Sequence, residues 1–428
     1  MRLLSIVGAR PQFVKLAPLV RAIERHNASG KRHRIEHRIL HTGQHYDAAL
    51  SDVFFTDLRL PSADYHLGVG SGPHGTQTAA MLSGIERVLE QERPDLTLVY
   101  GDTNSTLAGT LAASKLHLLT AHVEAGLRSF NRRMPEEINR AVADHTCDLL
   151  LAPTCTAIAN LEREGLASRA VLTGDLMHDV VLQYRAAADA TRSVLARLTL
   201  ERGAYGVVTL HRAENTDEPA RLAALVNAFN DIAQHRLPLI FPLHPRTASR
   251  LRAVLPEWQP HARLRMIEPI GYLDSLTLLS HARVVLTDSG GLQKEALFVG
   301  CPCITLRAET EWVETLDADA SLLADADPQR IRAAVDHWAA RYPQGGADFS
   351  SAATEAFGGG DAAHRIMQAI GSFLARSSGA ATSTATRCER KPDLMIEGEQ
   401  ERSTWRWLGW AAGAKTWRVT TTRCPIAG

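Results

Sequence analysis

The chain has 428 residues, 45% of them hydrophobic and 22% charged, an ordinary globular balance that suits two domains at roughly 100–200 residues each. Lys+Arg and Asp+Glu are equal at 47, so no global basic field would recruit nucleic acid or an anionic membrane. No apolar run reaches the ~18 residues of a membrane span, and the start of the chain has only a short apolar run before a Gly/Pro turn. Neither a membrane anchor nor a signal peptide is expected, which predicts a cytoplasmic protein.

Along the chain the repeated unit is an apolar strand, a polar turn and an amphipathic helix. Strands are predicted at residues 2–7, 34–40, 96–100, 118–123, 149–152 and 170–172. Helices fall between them near 13–26, 74–91, 105–115, 135–145 and 154–165. A second series starts near Tyr205, with strands at 206–210, 239–243, 264–268, 284–287 and 303–306 and helices near 219–234, 274–280 and 292–298. Continuous apolar strands alternating with helices predict parallel sheets covered on both faces. The fold class is therefore α/β, two doubly wound domains joined near residues 180–200 with an interdomain cleft. Their expected limits are 1–180 and 200–360.

Past Arg376 the character changes. Residues 377–386 read SSGAATSTAT, a low-complexity stretch. Trp405, Trp407, Trp410 and Trp417 then crowd the end without a helix or strand period. Residues 377–428 are expected to be a disordered tail outside the fold rather than a partner-binding element. The six cysteines, Cys147, Cys155, Cys301, Cys303, Cys388 and Cys424, form no CxxC pair or zinc-spaced cluster, which predicts isolated reduced thiols and no metal site.

In open α/β sheets ligands bind beyond the carboxyl ends of the strands. Gly8, Arg10 and Lys15 follow the first strand. Gly101, Asp102, Thr103 and Asn104 follow the strand at 96–100, and Glu124, Gly126 and Arg128 follow that at 118–123. In the second series His211, Arg212 and Glu214 follow one strand and His244 another. Asp288, Ser289, Gly290 and Gly291 open a helix that carries Glu295. These make two rims facing a cleft. Small residues before a helix can cradle a phosphate, although Ser-Gly is also an ordinary N-cap and turn. Asp102 and Glu124 can handle protons if their surroundings push their pKa values apart, while either alone is more often a turn cap or salt-bridge partner. Glu136 and Glu137, after Pro135, suit a helix start in any case. No GxxxxGK[ST] loop or GxGxxG opens the first unit, which speaks against nucleotide hydrolysis and a tightly held NAD.

The strings GARPQFVKLAPL, HTGQHYD, YGDTNSTLAG, HVEAGLRSFNRRMPEEINR, TLHRAEN, FPLHPRT and TDSGGLQKEA occur in this order. Together they closely resemble the non-hydrolysing UDP-N-acetylglucosamine 2-epimerases, from Met1 to about Arg376. The resemblance implies two Rossmann-like domains in a GT-B-like arrangement, with a last helix at 361–376 crossing back toward the first domain. It implies reversible inversion at C2 of a UDP-linked 2-acetamido sugar, by elimination of UDP to a 2-acetamidoglucal and re-addition. Asp102, Glu124 and Glu136 match the essential acids of the family. Arg10, Lys15 and His211 match its UDP-side groups, with His211 also placed in the catalytic set. Ser289, Gly290 and Gly291 match the diphosphate loop, and Glu295 the acid that holds the ribose hydroxyls. Gln44 and His244 complete the expected substrate-binding set. The implied partners are the UDP-sugar, UDP and a second copy of the chain in a homodimer. No metal and no cofactor are required.

The chain also departs from the family pattern. Where relatives often have Arg-x-Thr-Thr-Glu-Arg-Pro-Glu, residues 307–314 read RAETEWVE. Trp312 thus replaces an Arg that often touches the nucleotide, in a segment expected to face the cleft, where it either belongs to a rebuilt sugar pocket or simply packs against the loop. This variant resembles the branch acting on UDP-2,3-diacetamido-2,3-dideoxyglucuronate. The glycines that usually follow are missing from residues 314–328. Ser275 stands where many relatives carry an aromatic near the uracil. The allosteric Arg-Gln segment of some members is not evident in GSGPHGTQTA, residues 70–79. A hydrolysing epimerase and a GT-B glycosyltransferase are the competing activities.

Overall fold

The computed structural model describes residues 1–30, 34–44, 55–191 and 193–383. Contacts divide the chain into two units, Met1–Ser372 and Phe373–Gly428, and the architecture below is that of the first. His45, Tyr46 and Asp47 of HTGQHYD and the four Trp residues near the end lie outside the described residues.

The first sheet has seven strands: β1 Arg2–Val7, β2 Glu36–His41, β3 Tyr65–His66, β4 Leu96–Tyr100, β5 Thr120–Val123, β6 Leu149–Ala152 and β7 Ala170–Leu172. Their spatial order is β3-β2-β1-β4-β5-β6-β7, and every pair is parallel. The second sheet has six: β8 Gly206–Thr209, β9 Leu239–Pro242, β10 Leu264–Ile267, β11 Val284–Thr287, β12 Cys303–Thr305 and β13 Ser321–Leu323. Their order is β10-β9-β8-β11-β12-β13, again all parallel. In each sheet the chain winds outward one way and then restarts beside its first strand. The reversal falls between β1 and β4 and between β8 and β11. Those are the switch points where a crevice opens beyond the strand ends.

The apolar runs read as strands are buried for the reason they were read so. All five residues of β4 are buried, as are all of β5, β6 and β11. Around the second sheet Phe229 of helix Pro219–His235 meets Phe241 of β9 edge-on at 6.0 Å. Each such ring contributes roughly 1.5–3 kcal/mol by leaving water. Trp338 satisfies its indole N–H on the carbonyl of Cys303 at 3.2 Å.

The structure adds elements that periodicity did not disclose. β3 has two residues and β13 three, too few for an alternation to register. Helix Pro245–Val254 buries only Thr247 and Leu251, so its apolar stripe is faint. Helices Leu176–Thr191 and Ser193–Arg197 fill the expected junction. Helices Pro328–Arg341 and Ser350–Phe357 close the second series. The chain then returns to the end of the first series. Asp175 N–H donates to the Phe357 carbonyl at 2.9 Å, and the Asp179 carboxylate accepts from Ala362 N–H at 3.1 Å and Ala363 N–H at 2.8 Å. Those last two bonds cap the helix expected at 361–376, which spans Ala362–Ser383 and so runs into the low-complexity stretch. Among the described residues no helix is long and apolar enough to cross a membrane.

Candidate active site

Glu124 is the first residue after β5. It has φ +73, in the left-handed region that costs a non-glycine residue about 1 kcal/mol or more. Two backbone bonds hold it there, as Glu124 N–H and Ala125 N–H both donate to the Leu151 carbonyl at 3.0 and 3.1 Å. The side chain is thereby turned back over the crevice. One oxygen, Oε2, pairs with Lys15 of helix Arg10–Ala28. The other, Oε1, lies 2.8 Å from Nζ of Lys294 on helix Gly290–Val299, which belongs to the opposite rim. Burial alone would raise the Glu124 pKa. The two ammonium charges outweigh it and hold the carboxyl well below its ordinary range. Gly101, with φ +61, allows this approach, because a Cβ there would lie 3.1 Å from Lys15 Nζ and 3.2 Å from Glu124 Oε2.

Asp102 follows that glycine. Its Oδ2 accepts two bonds from Arg140, from Nε at 3.0 Å and Nη2 at 2.7 Å. Arg140 is buried on helix Pro135–Thr146 and also reaches Glu137 at 2.6 Å and Glu311 at 3.6 Å. Glu137 in turn accepts from the backbone N–H groups of Ser129 and Phe130, tying down the loop before that helix. Glu136 points across the crevice, where Oε1 lies 3.8 Å from Arg212. Arg212 and Arg307 converge with Arg140 on Glu311, at 3.7 and 2.7 Å for the first two. Burial would raise the Glu311 pKa, but the three guanidinium groups hold it far below the carboxylate range.

Behind these loops His122 bridges both. Its Nε2 donates to the Gly101 carbonyl at 2.7 Å, and its Nδ1 lies 2.7 Å from Asp144 Oδ1. Asp144 also accepts from Gly126 N–H and from Arg128. The loops that carry Asp102 and Glu124 are therefore fixed to each other.

On the second rim His211 stands 3.2 Å from Asp288 through Nδ1. Asp288 also accepts from the backbone N–H of His211 and Arg212, joining the ends of β8 and β11. Burial would raise the Asp288 pKa, while His211 and the backbone donors bring it down to about 2. The His244 ring centroid is 6.4 Å from that of His211, and its Nδ1 accepts from Arg246 N–H. Ser289 is the N-cap of helix Gly290–Val299, and its hydroxyl accepts from Leu292 N–H at 3.5 Å. Gly290 lies so close to Glu311 Oε1 that a side chain there would collide with it. Glu295 is buried on the same helix. Burial pushes its pKa up to about 7, against the hydrogen bond of Tyr272 and the charges of Lys294 and Arg10. The bond from Lys294 to Glu124 shows that the two rims face each other.

The rims therefore meet around Asp102, Glu124, Glu136 and Lys15, with Ser289–Gly291, His211 and Glu295 opposite. Gln44 is different. Its Oε1 accepts from Ser105 N–H and Oγ at 2.9 and 2.7 Å, bracing the start of helix Asn104–Lys115. Trp312 takes the packed of its two expected places. It is 3% exposed, packed beneath the crevice with its ring centroid 3.7 Å from Lys294 Nζ and 6.0 Å from that of Phe357. Sequence reasoning did not single out Arg140, Lys294, Asp175 or Glu311. Arg140 and Lys294 lie inside quoted motifs, but their partners are far along the chain, Glu124 being 170 residues from Lys294.

The family model described as UDP-N-acetylglucosamine 2-epimerase matches residues 27–371. A UDP-N-acetylglucosamine 2-epimerase homolog of Methanococcus maripaludis is 46% identical over 334 residues, 77% of this chain and 90% of that protein. The UDP-2,3-diacetamido-2,3-dideoxy-D-glucuronate 2-epimerase of Pseudomonas aeruginosa is also 46% identical, over 76% of this chain and 89% of its own length. Among solved structures, the Methanocaldococcus jannaschii UDP-GlcNAc 2-epimerase in complex with UDP-GlcNAc and UDP is 40% identical. It superposes with a TM-score of 0.79, covering 87% of this chain and 100% of that one. The paired parallel sheets are those of the GT-B-like fold.

Proposed function

Because the chain belongs to the UDP-N-acetylglucosamine 2-epimerase family, we propose that it reversibly converts UDP-N-acetylglucosamine to UDP-N-acetylmannosamine without releasing free sugar. The C2 proton of the sugar is weakly acidic, so direct removal is slow. Eliminating UDP together with that proton gives a 2-acetamidoglucal, and re-adding UDP with protonation from the other face inverts C2. Such a route needs proton-handling groups on both faces and cations for the departing diphosphate.

The observation that carries the proposal is the meeting of Asp102, Glu124 and Glu136 opposite the N-terminus of helix Gly290–Val299. Glu124, held ionised by two ammonium groups, is in the form that can accept a proton. Asp102 and Glu136 supply further carboxyl groups at the same opening. Arg10, His211, His244 and the Ser289–Gly291 backbone suit the diphosphate, since N–H groups and positive charge gather there. Glu295 suits the ribose hydroxyls. Lys15 serves the site through Glu124, and Gln44 through Ser105. The reading includes domains at 1–180 and 200–360 and a homodimer, which sedimentation velocity tests.

The deciding experiment is proton NMR of the purified protein with UDP-N-acetylglucosamine in D2O. Deuterium should appear at C2 while the UDP linkage survives at equilibrium. Stoichiometric free N-acetylmannosamine would support a hydrolysing enzyme instead, and transfer to an added acceptor a glycosyltransferase. A second reading keeps the chemistry and changes the sugar to UDP-2,3-diacetamido-2,3-dideoxyglucuronate. Residues 309–314, ETEWVE, and the similarity to the Pseudomonas enzyme favour it.

A further inference from the structure

Lys294 is fully buried, one residue before Glu295 on helix Gly290–Val299. Its Nζ bonds Glu124 Oε1 at 2.8 Å and also pairs with Asp175, in the segment that follows β7. The ammonium lies over the face of Trp312 at 3.7 Å. A buried ammonium costs several kcal/mol unless it is fully paired, and an apolar residue would pack this helix against its neighbours without that cost. A ring face attracts a cation, whereas a guanidinium at position 312 would repel it. Trp312 and Lys294 therefore form one device, aimed at Glu124 from the opposite rim.

We propose that Lys294 is a positioning residue for the epimerisation. Carried on the second rim, it completes the seat of Glu124 only when the two rims are together. The proton-handling carboxylate is then set for work only in an assembled cleft. Trp312 forms the wall that directs the ammonium. This inference rests on the epimerase reading.

Among the described residues, the charged groups paired with Glu124 are Lys15 from helix Arg10–Ala28 and Lys294 from helix Gly290–Val299, with Asp175 acting through Lys294. Both ammonium charges lower the Glu124 pKa. Removing one raises it, so a base that must be ionised loses activity at a higher pH than before.

The test compares wild type with Lys294→Met, measuring turnover from pH 3 to 9 and UDP affinity by calorimetry. The acid limb should move up by about one pH unit or more, the usual scale for losing a close opposite charge. Turnover at pH 7 should fall at least about tenfold, with the UDP dissociation constant changed less than about threefold. If Lys294→Met does not fold, the double variant Lys294→Met with Asp175→Asn decides. It removes a cation and an anion together and strands no charge, and it should show the same displaced limb. An acid limb at the wild-type position in the folded variant, even with reduced turnover, would overturn the proposal and leave Lys294 a structural ion pair. Absence of C2 deuteration by the wild type on either UDP-sugar would instead defeat the epimerase reading itself.

Discussion

Arg140 donates twice to a single oxygen of Asp102, from Nε at 3.0 Å and from Nη2 at 2.7 Å. The Asp102 side chain keeps 29% of its exposure while Arg140 keeps 1%. The guanidinium is thus a buried anchor, and the carboxylate is its ordered, accessible tip. This is the arrangement of a proton-handling group oriented by a fixed partner.

The first prediction follows from that pairing. Asp102→Asn keeps the shape and loses the proton-handling function. Its turnover should fall roughly a hundredfold or more, the usual scale for a positioned acid or base. Glu124→Gln should do the same. UDP affinity, measured by calorimetry, should change far less for either. A variant with near-normal turnover would remove that residue from the mechanism.

Arg140 itself carries the second prediction. It faces Asp102, Glu137 and Glu311 from within the protein. Arg140→Ala would leave buried carboxylates without their cation, a loss on the order of 3–5 kcal/mol. The urea midpoint should drop accordingly. A loss below about 1 kcal/mol would mean that Arg212 and Arg307 suffice for Glu311.

What could be read from the sequence divides along physical lines. Strands β1, β4, β6 and β11 have the limits expected, because a buried parallel strand is a continuous apolar run bounded by turn residues, and the half-buried edge strand β7 does too. Asp102, Glu124, His211 and Ser289 were legible as residues at strand ends. Partners were not, because pairing across the crevice depends on how two sheets face each other, which leaves no local period. Lys294 lies beside Glu295 in sequence, yet its meaning comes from Glu124 and Asp175. Trp312 shows the same limit from the other side. The substitution at a family position left two places open, a rebuilt pocket wall or packing against the loop, and only the partner Lys294, which stands in a separate motif, shows the indole packed.

The third prediction concerns pH. Burial raises the Glu295 pKa to about 7, against about 4.3 in an unfolded chain. The folded state therefore holds this proton when the unfolded state has released it. The contribution of Glu295 to stability is complete below about pH 4.3 and is lost as pH rises toward and through 7. Glu124, Glu311 and Asp288 act with the opposite sign, since their lowered pKa values give stability that is lost as pH falls below about 4. Glu295→Gln cannot ionise. Its unfolding free energy should fall less than that of wild type between about pH 4.5 and 7. Parallel curves over that range would show that Glu295 ionises freely in the folded protein.

The last prediction is substrate choice. Trp312 offers an apolar face and one N–H donor, and no charge to clamp a phosphate. Its burial against Lys294 and Phe357 makes it a support for the site rather than a wall of the sugar pocket. Trp312→Phe keeps an aromatic face over Lys294. It should lower kcat/KM for UDP-N-acetylglucosamine and for UDP-2,3-diacetamido-2,3-dideoxyglucuronate by the same factor, leaving their ratio within about threefold of wild type. A ratio that moves tenfold or more would place the indole in contact with the sugar. The wild-type ratio decides between the two sugars directly, and UDP-N-acetylglucosamine is expected to be preferred. The reverse preference would keep Asp102, Glu124 and Glu136 in their proposed roles, because inversion at C2 is common to both substrates, and would change only what the pocket accepts at C3 and C6.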